Sequence, residues 1–278
     1  FAAPIETEGD RTARVRPRRL LAPSLLRRTQ EAVLEELPEK TEVLLTVDLS
    51  EKERALYESV RRRALETIEQ DVGEERDRRF RILAELMRLR RACCNPRLVL
   101  EGTELPSAKL DAFAELVEDL RANRHRALVF SQFTGHLALL RQYLDSEGIS
   151  YQYLDGATPP EARRRAVDAF QSGSGDVFLI SLRAGGTGLN LTAADYVIHM
   201  DPWWNPAVED QASDRAHRIG QKRPVTIYRV VARDTVEEKI LDLHRTKREL
   251  AEGLLEGTDA AVRLSTEDLV ALFREESA

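Results

Sequence analysis

Cysteine is almost missing from this chain of 278 residues, and the two present, Cys93 and Cys94, are adjacent. Adjacent cysteines offer neither a disulfide framework nor the spacing of metal ligands. The five histidines are scattered, so no zinc or other metal site is expected. Lysine is scarce as well. It supplies only six of the 42 basic residues, a bias toward arginine that a GC-rich genome explains as readily as function. No apolar run approaches the ~18 residues of a membrane span, and the first residues lack a signal-peptide pattern. A soluble intracellular protein without a membrane partner is expected, cytoplasmic or at the nucleoid in a bacterium and nuclear in a eukaryote. Two further absences matter: no G-x-x-x-x-G-K-S/T loop occurs, and no Asp-Glu pair follows a buried strand.

Hydrophobic residues make up 42% of the chain, enough for a substantial core, and the length suggests roughly two domains. The net charge of −6 counts against a protein that coats nucleic acid, but leaves room for a local basic groove. Residues 1–50 mix an Arg/Pro-rich start with the strand-like run Val43–Asp48, which has no evident partner nearby. They are assigned to the tail of a preceding domain. Residues 51–106 read as helices, opened by Ser50 and Glu53 at capping-box spacing. Segment 61–100 holds eleven arginines against seven acids, a pattern that fits a solvated helical face better than a DNA-contacting one.

From Ser107 to residue 235 strands and helices alternate. Apolar runs at 127–131, 151–154, 177–180, 196–199 and 226–231 predict strands. Leu110, Phe113, Val117 and Leu120 mark one helix, and Leu137, Leu140 and Leu144 another, closed by Gly148. Thr158-Pro-Pro-Glu161 predicts a helix start with proline at its first position and a capping box. Buried strands alternating with helices imply an α/β fold, a parallel sheet covered on both faces, with ligands at the carboxyl ends of the strands. Residues 236–278 read as a helical brace packed through Val236, Ile240 and Leu243 or through Leu254 and Leu255.

The most informative segment is Glu209 to Gln221. Arg215 and Arg218 lie three apart on a predicted helix, with Gln211 one turn earlier on the same face. Two guanidinium forks beside an amide suit the oxygens of a phosphoryl group. The ordinary alternative is a pair of surface arginines neutralised by Glu209, Asp210 or Asp214. A glycine-rich turn, Arg183–Asn190, precedes this segment and brings backbone amides within reach of a phosphate or ribose. Trp203 and Trp204 are expected to pack rather than stand exposed, and His199 and His217 to be structural.

Several motifs occur in a fixed order: Leu128-Val-Phe-Ser-Gln-Phe133, Leu154-Asp-Gly156, Ser181–Leu191, Asp201-Pro-Trp-Trp-Asn-Pro206 and Gln211–Gln221. In this the chain resembles the second, RecA-like motor lobe of the SWI/SNF-like ATPases, the remodeller-type double-stranded DNA translocases of helicase superfamily two. Leu26-Arg-Arg28 with Leu37–Lys40 resembles that family's exit from its first lobe, and Leu89–Pro96 the end of its helical insertion. The resemblance implies that Arg215 and Arg218 are arginine fingers and that Gln211 lies near the γ-phosphate and its attacking water. Gly188 would line the nucleotide cleft and Asn190 would meet the ribose. Ser131, Gln132, Arg163, Arg183 and Thr187 would grip DNA phosphates, and Trp204 would couple the two sites. ATP with Mg²⁺ is the implied cofactor, held mainly by the first motor lobe. Duplex DNA, that lobe and a protein cargo on DNA are the implied partners. Without the first lobe, negligible ATP hydrolysis is expected. A non-hydrolysing scaffold and an RNA helicase lobe are the alternatives, the latter disfavoured by the Trp-Trp element.

Overall fold

The computed structural model describes residues 37–70, 74–184, 189–243 and 265–274. Its centre is a six-stranded sheet made of β1 (Lys40–Val47), β2 (Ala127–Ser131), β3 (Tyr151–Leu154), β4 (Val177–Ser181), β5 (Tyr196–His199) and β6 (Val225–Ala232). The spatial order is β1-β6-β5-β2-β4-β3, and every pairing is parallel. Successive side chains leave opposite faces of a strand. Val129, Leu179, Ile198 and Val230 accordingly join one apolar cluster, while Leu128, Phe130, Phe178, Ile180, Val197 and Ile227 join another. Both faces are therefore dry, which is why the strands read as unbroken apolar runs rather than alternating ones.

The α/β fold expected from the pattern is present, and the strand predictions at 127–131, 151–154 and 196–199 match residue for residue. The run at 43–48 is a correction. Expected to have no partner nearby, its residues Val43 to Val47 lie in β1, which pairs with β6 along its whole length from Lys40↔Val225 to Val47↔Ala232. Its partner is supplied by the far end of the chain, beyond the reach of any local pattern.

Helices α1 (Glu51–Glu69), α2 (Glu75–Cys94), α3 (Ala108–Ala122), α4 (Thr134–Ser146), α5 (Pro160–Gln171), α6 (Pro206–Ser213) and α7 (Thr266–Ala271), with a helical segment at 236–243, pack around the sheet. The capping box at Ser50 forms, and its Glu53 does more than close α1. Glu53 Oε1 also accepts the Ala108 N–H at the start of α3 (2.9 Å), so one buried carboxylate caps two helices. Gly148, at φ 62°, closes α4 with the Ile149 N–H donating to Leu144 O (2.8 Å). The second expected capping box does not form. A proline opens α5, but it is Pro160, one residue later than a Thr158 cap implies, and the Thr158 hydroxyl turns to the Asp155 carboxylate at 3.0 Å instead of capping the helix.

Segment 51–106 has no core of its own. Tyr57, Val60, Ile82, Leu86 and Leu89 share one cluster with Leu137, Leu140, Val236, Ile240 and Phe273. Leu26–Arg28, Leu254 and Leu255 lie outside the described residues. Within the shared core stands a fully buried ion pair that no sequence pattern marks, Lys109 with Glu237 at 2.7 Å. Lys109 Nζ also donates to Met200 O (2.6 Å) and Val230 O (3.0 Å), while Glu237 accepts the Ala232 N–H (2.9 Å). Three acceptors suit an ammonium, and the carboxylate beside it holds the Lys109 pKa above its ordinary value against the opposing effect of burial.

Candidate nucleotide and nucleic-acid interface

The loop after β5 leads into α6, where the Asn205 side chain accepts the Ala207 N–H (3.1 Å) and Pro206 occupies the first turn. The helix stops at Ser213, so Arg215 and Arg218 do not share a helical face with Gln211. Tertiary bonds explain the stop. The Arg215 carbonyl accepts the Leu191 N–H (3.0 Å) and the Ala216 carbonyl accepts Gln221 Nε2 (3.0 Å). The first carbonyl is taken by the chain that leaves the glycine turn and the second by the Gln221 side chain, neither by a further helical turn. Gln221 is the pin: Nε2 also meets Ala194 O (2.7 Å) and Thr192 O (3.2 Å), while Oε1 accepts the N–H groups of Lys222 and Arg223. The finger segment and the exit of the glycine turn are thus brought together. Sequence reading assigned Gln221 no role, because its partners are backbone groups that no side-chain pattern reveals.

The Arg215 side chain sits in an unusual electrostatic position. The residue is 5% exposed, yet its Nε and Nη1 have no hydrogen-bond partner among the described residues. Burial, then repulsion from Arg218, lowers its pKa, though a guanidinium stays charged. Arg218 is exposed and in no ion pair among the described residues. The acids that could have neutralised them are engaged elsewhere. Glu209 and Asp210 pair with Arg229 of β6 at 3.0 and 3.2 Å, and Arg229 also pairs with Glu42 of β1. Asp214 faces Lys40 at 3.9 Å. A buried cation whose N–H groups lack acceptors is costly unless an anion completes it.

The remaining predicted residues divide. Gln211, Arg183 and Asn190 are exposed. Gly188 and Thr187 lie outside the described residues. Ser131 is fully buried, its hydroxyl on the Asp201 carboxylate, so in this arrangement it secures a loop rather than presenting a hydroxyl to a phosphate. Gln132 is turned inward, its Oε1 accepting Arg90 Nη1 (3.0 Å). Arg163 donates to Ala184 O (3.0 Å) and holds the turn that presents Arg183.

The two tryptophans pack against opposite faces of the sheet, Trp203 on the cluster with Phe130 and Trp204 on the cluster with Val129. Trp204 also stacks under the buried guanidinium of Arg90, whose carbon is 5.0 Å from the ring centroid. Arg90 donates to Pro202 O as well. The end of α2, the Ser131–Phe133 turn and the tryptophan loop are thus tied through one arginine that sequence reading counted among solvated ones.

His217 and His199 are structural, as expected. His217 Nε2 bonds Pro38 O (2.7 Å), and His199 Nε2 lies 2.9 Å from the Ser213 hydroxyl with its ring stacked on Phe130. Burial and the charges of Arg229 and Lys40 push the His199 pKa down to about 3, below the unfolded value of 6.5. The unfolded chain therefore binds more protons between these values. Stability from His199 is complete above pH 6.5 and falls, by up to about 1.4 kcal/mol per pH unit, as the pH drops toward 3. Denaturant unfolding at pH 7 and pH 5 should show the loss, and His199→Asn should reduce its slope.

No described helix is long and apolar enough to cross a membrane. The helicase conserved C-terminal domain family matches residues 108–220, and the SNF2-related domain family matches residues 1–98. An uncharacterized ATP-dependent helicase of Mycoplasma pneumoniae is 39% identical over 254 residues, 91% of this chain and 24% of the relative. The Sulfolobus solfataricus SWI2/SNF2 ATPase core in complex with dsDNA is 31% identical with a TM-score of 0.70, covering 100% of this chain and 59% of that one. The isolated C-terminal domain of the Sulfolobus solfataricus SWI2/SNF2 ATPase is 27% identical with a TM-score of 0.69, covering 86% of this chain and 100% of that one. The chain spans about a quarter of the length of the first curated relative it matches.

Proposed function

Because this chain belongs to the SWI/SNF-like ATPases and has their C-terminal RecA-like architecture, we propose that it works as the second motor lobe of an ATP-dependent translocase on double-stranded DNA. The observation that carries the reading is Arg215: a buried guanidinium, two of its nitrogens unmet among the described residues, beside an exposed Arg218 and among acids committed elsewhere. Such a site is complete only when an anion arrives, and the γ-phosphate of an ATP on a facing lobe is that anion. Arg215 and Arg218 stabilise the charge that develops on the phosphoryl oxygens, and Gln211 orients the attacking water. Asn190 meets the ribose, with Gly188 lining the cleft. Mg²⁺ would neutralise charge on the β and γ oxygens. This cationic segment does not fit a metal, so its ligands belong to the facing lobe.

In this reading residues 51–106 are the helical insertion, 107–235 the motor lobe and 236–278 the brace, with β1 completing the lobe's sheet. Arg183, presented by the turn that Arg163 holds, and Thr187 grip DNA phosphates. The structure of the Sulfolobus relative in complex with dsDNA supports duplex DNA as the track. Phosphate contacts carry little sequence information, so binding is sequence-independent and weakens with salt. Trp204, held by Arg90 between the insertion and the Gln132 turn, couples the nucleotide site to the DNA track, along which a protein cargo on DNA would be displaced.

The test is ATP hydrolysis by the 278-residue chain alone and by a polypeptide joining it to a first lobe. The chain alone should show only background turnover, and the two-lobed protein a rate stimulated by duplex DNA. Robust hydrolysis by the chain alone overturns the two-lobe reading. A two-lobed protein that binds DNA but never hydrolyses ATP points to a scaffold.

A further inference from the structure

We propose that Cys94, His136 and Asp201 form a binding site for one divalent transition-metal ion of the zinc class. The three come from the last residue of α2, the first turn of α4 and the loop after β5, and their ligand atoms lie within 4.8 Å of one another. All three residues are buried, Cys94 and His136 fully so. A second observation points to a ligand there. Neither ring nitrogen of His136 has a hydrogen-bond partner among the described residues, although a neutral imidazole carries one donor and one acceptor that a dry interior must satisfy.

The donor set selects the class of ion. Sulfur, imidazole nitrogen and a single carboxylate oxygen suit Zn²⁺ and not Mg²⁺ or Ca²⁺, which take oxygen ligands. A neutral imidazole keeps one nitrogen lone pair, and with no hydrogen-bond partner among the described residues it is free to coordinate. Metal–ligand bonds of ~2.0–2.3 Å would draw the three groups closer together. As the sulfur–metal bond forms, the Cys94 thiol releases its proton to solvent. The thiolate and the Asp201 carboxylate then balance the two charges of the ion. The buried cation Lys109 is already neutralised by Glu237. Asp201 also accepts from the Ser131 hydroxyl and the Gln132 N–H, so the ion would staple α2 and α4 to the loop that carries Trp203 and Trp204.

The site stands on these residues alone and does not depend on the motor reading. The full chain, reduced, stripped with a chelator and dialysed against Zn²⁺ or Co²⁺, should retain one ion per molecule by elemental analysis. The Co²⁺ form should show a thiolate-to-cobalt charge-transfer band, and metal should raise the melting temperature. Cys94→Ser should abolish the band and His136→Gln should lower metal retention at least tenfold, while the neighbouring Cys93→Ser should change neither. Background metal only, a wild-type Co²⁺ spectrum without the thiolate band, or undiminished retention in Cys94→Ser would each overturn the site. Where His136→Gln does not fold, the wild-type spectrum and the two cysteine variants decide.

Discussion

Replacing Arg215 with alanine in the two-lobed protein should lower DNA-stimulated ATP turnover by about 10³-fold or more, the range over which an arginine finger acts. The same change should leave the fold intact, neutral or stabilising by about 1–2 kcal/mol. The two effects have opposite signs for one reason. Arg215 is held almost out of water with Nε and Nη1 unmet among the described residues, and its pKa is lowered by burial and by Arg218. Removing it relieves an uncompensated charge in the resting lobe and removes the group that would compensate the transition-state charge. Arg215→Lys keeps the charge but loses the planar fork, so it should recover only a small part of the rate. Steady-state ATPase rates together with thermal melting of the isolated chain measure both quantities. Loss of rate together with a large loss of stability would make Arg215 a structural residue. An unchanged rate would show that Arg215 is not an arginine finger.

Lys109→Met should cost about 3–5 kcal/mol. It would strand the Glu237 carboxylate in an interior with no water, where only the Ala232 N–H remains to it. The pair links α3 to the helical segment at 236–243 and, through the Met200 and Val230 carbonyls, to the ends of β5 and β6. Lys109→Met with Glu237→Met should recover much of the loss, because two buried charges vanish together. A double-mutant cycle by denaturant unfolding gives the coupling directly. Single substitutions that cost under about 1 kcal/mol would mean that apolar contacts, not the ion pair, hold this segment to the lobe.

Much of the architecture could be read locally. The apolar runs at 127–131 and 177–180, the cap at Ser50 and the C-terminal glycine of α4 each depend on residues a few positions apart. The motif order from Leu128 to Gln221 pointed to the family for the same reason: it is a statement about neighbours along the chain. Local reading failed where partners are distant. It left β1 without its partner strand, extended α6 through Arg215 and counted Arg90 as solvated.

Composition and spacing settled the α/β class, most strand positions and the identity of the arginine-bearing segment, since backbone periodicity and capping act over one or two turns. Only folding decided which charges meet. Arg229 takes Glu42 from 187 positions away, Lys109 takes Glu237 from 128, and Cys94, His136 and Asp201 gather from three elements. Arg215 is left buried with nitrogens unmet because the sheet places Arg229 beside Glu209 and Asp210, and competition among neighbours in space is invisible until the strands are in register.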